Sequence, residues 1–388
     1  MFRAGIFCGW VGFGYGNFGD LTIYELCRQR FSTIHWSPVT AFDITPRATQ
    51  FLRHAGRDSR QVIRVLSEEL CTQRRLRALT TKAIHGSVRW LGGEVGICGG
   101  EMFINRNSNA IRSYKELRKR TGSPVPVFGT GVAEPDFWPE REDGWSDRRK
   151  EWVALLEELP TVGVRGPLSK ACLEEAGARN VVISGDPAVF LHARYLERPM
   201  PAVREGALRV GINAGPYPRT WGRGEDIQDA TVALAQWLRK AGHQIEIIPI
   251  WPRDVEAGID VARRAELPQS ALSPQSLSHE AFLSRLENLD LVVAINLHVG
   301  ILAAAANVPF VSLEYQPKCR DFAATIGWEE FLVRTDQLQH DRLIERVSAL
   351  IDQRDRKRRI LCENMCRLMS TFEDYCQKIE PLLLVSNG

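Results

Sequence analysis

The sequence predicts an α/β protein of two parallel-sheet domains facing across a cleft, and three observations predict it. Short apolar runs of β-branched character recur along the chain, each followed by a helix-permissive segment. The runs end in small or polar residues, as strands do where their exits border a ligand crevice. A break at Tyr195 to Gly206, with Pro199 and Pro201 and little hydrophobic periodicity, separates two such arrays. The expected units are residues 1–200 and 207–388, each Rossmann-like, and 388 residues suffice for two domains of ordinary size.

In the first unit, Ala4 to Trp10 reads as a strand, and Gly12-Phe13-Gly14-Tyr15-Gly16-Asn17-Phe18-Gly19-Asp20 precedes a helix from about Leu21 to Arg30. Its glycines allow tight turning and close backbone approach, and the helix start offers unpaired N–H groups to an anion. Gly14 to Gly19 fits Gly-x-Gly-x-x-Gly, but no clean second strand ending in an acid follows, which argues against a dinucleotide. Pro46 to Leu91 is basic with a helical pattern. Val95 to Glu101 is a short strand ending in Gly99-Gly100, a pair that permits close approach to another element or to a ligand. Asn105, Arg106 and Asn107 form a polar rim beyond it. Val125 to Val132 is a further strand, and Glu134 to Arg149 an irregular loop.

Thr161 to Val164 is a strand with Arg165 at its exit and Ser169 in the opening turn of the next helix. Arg165 is a candidate anion ligand through its planar guanidinium; an ion pair with a neighbouring acid is the alternative. Val181 to Ile183 ends in Gly185-Asp186-Pro187, where Asp186 either caps the turn or serves the cleft.

After the break, Leu208 to Gly215 and Gln244 to Trp251 read as strands, with the helix Asp226 to Gly242 between them and Pro252 and Asp254 in the second exit loop. His279 to Leu286 is a helix. The most informative stretch follows: strand Leu291 to Ile295, then Asn296-Leu297-His298, an Ala-rich helix ended by Asn307, strand Pro309 to Leu313, and a loop holding Tyr315 and Lys318. This β-α-β unit sets His298 and Lys318 at strand exits, where ligands of open α/β sheets bind. Gln339 to Leu368 is a helical tail with a basic cluster from Arg354 to Arg359.

Composition excludes several classes. A net charge of +3 with 25% charged residues gives no global argument for nucleic acid, although Arg47 to Arg89 is rich in Arg and Lys. That segment reads as a solvated helix face, or else as a surface for an anionic or lipid-linked partner. Nine cysteines without a Cys-x-x-Cys pair suit free thiols in a reducing compartment. Cys362 and Cys366 stand one helical turn apart, but no neighbouring His or second Cys pair completes four ligands, so core packing is expected and no metal or cofactor is called for. Met1 to Gly12 is too short and too poor in positive charge for a signal peptide, and no apolar run is long enough for a membrane span. A cytoplasmic protein with at most peripheral membrane contact is expected.

Several motifs together resemble the polysaccharide pyruvyl transferase family. Gly16-Asn17-Phe18-Gly19-Asp20 is similar to its N-terminal opening, and Leu297-His298, Pro309 and Tyr315-Gln316-Pro317-Lys318 to its C-terminal signature. The residue two before the histidine is often Arg in the family, where it is associated with the anionic donor, and is Asn296 here. The resemblance implies a glycosyltransferase-B-like fold, and transfer of a pyruvyl ketal from phosphoenolpyruvate to two hydroxyls of a polysaccharide or cell-envelope sugar, free or lipid-linked. It implies His298 as proton donor, and Arg165, Lys318, Asn17, Asp20, Gly100, Asn296 and Tyr315 as substrate-binding residues. A nucleotide-sugar glycosyltransferase of the same fold, with a pocket at Asn213 to Gly215 and Trp251 to Asp254, and a non-catalytic sugar-binding homologue are the alternatives.

Overall fold

The computed structural model describes residues 3–9, 18–40, 94–100, 103–105, 108–132, 137, 145–198, 205–215, 220–276, 278–338 and 340–384. The glycine-rich stretch Gly12 to Asn17 and the basic segment Pro46 to Leu91 lie outside them, as do Arg106, Asn107 and most of Glu134 to Arg149.

The first sheet is four-stranded, in the order β2-β1-β3-β4, with β1 Arg3–Gly9, β2 Ile34–Thr40, β3 Glu94–Gly99 and β4 Val127–Phe128. A further pair, β5 Val162–Val164 and β6 Val181–Ile183, continues it through a parallel bridge between Thr130 and Val164 and the bond from Arg165 N to Thr130 O at 2.9 Å. The second sheet has five strands in the order β11-β10-β9-β7-β8: β7 Arg209–Asn213, β8 Gln244–Ile247, β9 Leu291–Ala294, β10 Phe310–Glu314 and β11 Leu332–Arg334. Among the described residues every strand pairing is parallel. In both sheets the first strand lies between the second and third, so the order reverses at β1/β3 and at β7/β9, the positions where open α/β sheets bind ligands at their strand exits.

Burial explains the strand sequences. Leu291, Val292, Val293 and Ala294 are all buried, since helices cover both faces, and a continuous apolar run rather than an alternating one results. The helix α5, Gly224–Lys240, buries a stripe at helical spacing, Ile227, Ala230, Thr231, Leu234, Ala235 and Leu238, widened by Val232.

Three expectations need correction. Ile34–Thr40 is a strand, paired in parallel with β1, where no clean second strand ending in an acid was expected. Pro38 weakens the pattern, yet an edge strand tolerates a missing N–H, and among the described residues β2 is at the edge. Asp254 is not in a loop but at the third position of helix α6, Pro252–Arg264, which begins on a proline as helices often do. Lys318 likewise stands in the first turn of helix α9, Pro317–Thr325.

The C-terminal helix α10, His340–Leu384, is longer than its sequence pattern suggested. Its first half buries Leu343, Val347 and Leu350. Its last turns reach the first sheet, where Phe372 packs edge-on against Phe128 at 5.4 Å and Tyr375 O–H donates to Val127 O. Arg30, at the end of helix α1 (Phe18–Arg30), donates from Nε and Nη2 to Glu373 at 3.0 and 2.8 Å. One helix therefore bridges both sheets.

Candidate active site between the two sheets

Helix α8, Leu297–Ala305, leaves the switch-point strand β9 and is capped by Asn296, whose side chain accepts from His298 N at 2.9 Å. A cap at this position satisfies one of the orphan N–H groups of the first turn and fixes the backbone that carries His298. Asn296 is itself held, because its N–H donates to Asn213 Oδ1 at 2.9 Å. Asn213 ends β7 and donates from Nδ2 to Ile248 O at 3.2 Å and to Asp254 Oδ2 at 3.0 Å. Asp254 also accepts from Ile250 N and Trp251 N, both at 3.1 Å. Its carboxyl is fully buried, and burial pushes its pKa up to about 6 against the pull of those hydrogen bonds. A chain of polar contacts thus runs through the second sheet's crevice from Asp254 to His298.

The His298 ring crosses to the first sheet. A Cβ added at Gly19, in the first turn of α1, would sit 2.0 Å from the ring's Cε1 and Nδ1, so the glycine permits this contact. On the other edge, Nε2 lies 3.9 Å from Asp186 Oδ2. Asp186 follows β6 and caps a 3-10 helix, Pro187–Tyr195, by accepting from Ala188 N at 3.0 Å. The same Oδ2 accepts from Arg165 Nε at 2.9 Å, and Arg165 Nη2 donates to Gly129 O at 3.3 Å. Arg165 and Asp186 are both fully buried, and Arg165 Nη1 has no hydrogen-bond partner. Both sequence readings of Asp186 therefore apply, cap and cleft residue, and Arg165 is paired with an acid while keeping one unspent donor.

Beside this array the halves are locked by a second contact. Asp321 of α9 accepts from Leu168 N at 2.8 Å, from Ser169 N at 3.3 Å and from Ser169 Oγ at 2.6 Å, capping helix α4 (Pro167–Glu175) from the opposite half. Gly166 makes room for it, since a Cβ there would meet Asp321 O at 2.3 Å. Burial raises the Asp321 pKa, opposed by the Ser169 bonds. Lys318, three residues before, lies with its ammonium 5.2 Å from the Tyr315 ring centroid, and Tyr315 O accepts from Trp221 N at 3.0 Å.

Of the residues expected at the site, the structure joins Arg165, Asn296 and His298 through Asp186 and the α8 cap, with Tyr315 and Lys318 at the neighbouring strand exit. Asn17 lies outside the described residues; of Asp20 only the helical backbone is described. Gly100 follows β3 with φ of 86°, a conformation that favours glycine, and donates from N to Phe128 O at 3.2 Å. Gly19 and Asp321 carried no sequence signal for these contacts.

Comparison with solved structures finds the same fold. A UDP-GlcNAc 2-epimerase from Neisseria meningitidis, bound to UDP-GlcNAc, has 13% identity, covers 98% of this chain and 100% of its own, and gives a TM-score of 0.52. A glycosyltransferase from Rickettsia africae has 11% identity, covers 99% of both chains, and gives 0.52. MnaA from S. aureus, with UDP, has 10% identity, covers 97% of this chain and 98% of its own, and gives 0.54. These likenesses establish the glycosyltransferase-B architecture of two Rossmann-like units. A comparison with curated proteins finds no match. The sequence profile of polysaccharide pyruvyl transferases matches residues 74–317, a span holding Arg165, Asp186, Asn296, His298 and Tyr315. With most of its length inside that match, the chain belongs to the polysaccharide pyruvyl transferase family and is a transferase.

Proposed function

We propose that this chain moves a pyruvyl ketal from phosphoenolpyruvate to two hydroxyls of one sugar in a polysaccharide or its precursor, lipid-linked or free, releasing phosphate. The observation that carries the reading is the array Arg165–Asp186–His298 at the meeting of the two switch crevices. The reaction adds a proton to the donor's methylene carbon while a sugar hydroxyl adds to the neighbouring carbon and gives up its own proton. Loss of phosphate and closure by the second hydroxyl complete the ketal. His298 is the proposed proton donor, with Asp186 orienting the ring and balancing the charge of an imidazolium. Lys318, the open Arg165 Nη1 and the helix starts at Gly19 and Leu297 supply positive potential for phosphate and carboxylate. A cytoplasmic setting accords with the free thiols among the described residues.

A second reading, a nucleotide-sugar glycosyltransferase, is favoured by the UDP-GlcNAc and the UDP held in solved structures of the same fold. The test is phosphate release from phosphoenolpyruvate across a panel of sugar acceptors, run beside turnover of nucleotide sugars. Acceptor-dependent phosphate release without nucleotide release supports the pyruvyl reading. The reverse result overturns it.

A further inference from the structure

Away from the cleft, the 3-10 helix that begins at Asp186 carries His192, and the C-terminal helix α10 carries Cys362 and Cys366 on adjacent turns. The sequence pair lacked a histidine partner; the fold supplies one. His192 Nε2 lies 3.4 Å from Cys366 Sγ and 4.0 Å from Cys362 Sγ, and the three donor atoms all lie within 4.8 Å of one another.

Three independent features mark this as a site rather than a chance packing contact. First, His192 is fully buried, and its Nδ1 is 2.9 Å from Ala305 O. A carbonyl accepts only from a protonated nitrogen, so Nδ1 carries the hydrogen and Nε2 presents its lone pair to the sulfurs. Fixing the tautomer through an outer hydrogen bond is how metal-binding histidines are commonly held. Second, the spacing fits. Tetrahedral zinc with bonds of about 2.3 Å to sulfur and about 2.05 Å to nitrogen separates N from S by about 3.6 Å, between the two distances seen. Third, Asn307 stands beside Cys362, and its Oδ1 is buried with no hydrogen-bond partner. Asn307 adopts φ of 57°, the left-handed turn after α8 that brings its side chain to this position.

We propose that His192, Cys362 and Cys366 form a structural site for a thiophilic divalent ion, Zn2+, with Asn307 Oδ1 or a water as fourth ligand. Two thiolates and an imidazole select zinc over the hard cations Mg2+ and Ca2+. Binding displaces the thiol protons to solvent. The ion joins α10 to the 3-10 helix that starts at Asp186 and to the end of α8, whose start carries His298, so its role is to clamp the frame of the cleft from behind.

The test uses the full chain, reduced and stripped of metal. Titration with Co2+, a spectroscopic substitute for zinc, is expected to give a thiolate-to-cobalt charge-transfer band saturating at one ion per chain, and Zn2+ is expected to abolish it and raise Tm. The Cys362→Ser/Cys366→Ser double variant should lose the band and the Zn2+-dependent rise in Tm. Asn307→Ala, which leaves all three N and S ligands, should weaken binding about 10- to 100-fold, the range for an outer or weak partner, and keeps the proposal testable if the double variant does not fold. Absence of the band in the wild type, or an equal Zn2+ effect on Tm in the double serine variant, overturns the site.

Discussion

His298 Nε2 lies 3.9 Å from Asp186 Oδ2, and the two residues reach each other from opposite halves of the molecule. Behind Asp186, the buried Arg165 guanidinium completes the pair at 2.9 Å. Removing one partner of such a pair leaves a charge in a place water cannot reach. Asp186→Ala is therefore expected to cost about 3–5 kcal/mol of stability. Arg165→Met combined with Asp186→Leu should recover much of that loss, because it removes both charges. Denaturant unfolding of the single and double variants measures this; additive losses would show that the pair is not coupled.

Gly19→Ala tests the contact from the other side of the ring. Its Cβ would stand 2.0 Å from His298 atoms, and neither a ring nor a capped helix start yields easily. Overpacking of this kind costs about 1–3 kcal/mol, and displacing the ring is expected to lower turnover by about 100-fold. Turnover per folded molecule, beside Tm, reads both effects; wild-type turnover would mean the ring position does not matter to the chemistry.

Lys318→Met keeps the aliphatic stem against Tyr315 and removes the charge. If Lys318 binds the donor's anionic groups, affinity for phosphoenolpyruvate should fall by about 1.5–3 kcal/mol, about 10- to 150-fold. Calorimetric titration is the measurement, and unchanged affinity would make the residue structural.

Asp254 gives a pH prediction with a definite sign. Its carboxyl is pushed from 3.8 to about 6 by burial, so the folded chain holds the proton more tightly than the unfolded chain. Its contribution to stability is fully present below about pH 4 and lost as pH rises through about 6. Two units correspond to about 3 kcal/mol. Asp254→Asn should remove this loss, so the stability difference between variant and wild type should shift in the variant's favour between pH 4 and 6. Parallel stability curves over that window would refute it.

Much of the architecture was legible in the sequence, because buried parallel strands such as Leu291–Ala294 write themselves as continuous apolar runs and the Ala-rich helix after them has one plausible end, Asn307. The strand exit at His298 followed from that frame. The edge strand Ile34–Thr40 was missed because Pro38 and its polar neighbours break the pattern where pairing is needed on one side only. What the sequence could not reveal were meetings between distant segments: Gly19 with His298, Asp321 with Ser169, and His192 with Cys362 and Cys366. None of these pairs shares a local period, and each depends on how the halves and the returning helix α10 pack. Asp186 lay in between, visible as a strand-terminal acid but without its two partners.

The most direct measurement of the proposed chemistry is single-turnover pyruvyl transfer per folded molecule in His298→Gln, with donor affinity and Tm recorded on the same sample. Glutamine preserves size and hydrogen bonding but cannot deliver a proton at neutral pH. The expected result is a fall of about 10²- to 10⁴-fold in the chemical step with donor affinity and Tm near wild type. A fall in activity that merely follows a lowered folded fraction, with the rate per folded molecule unchanged, would contradict His298 as the proton donor.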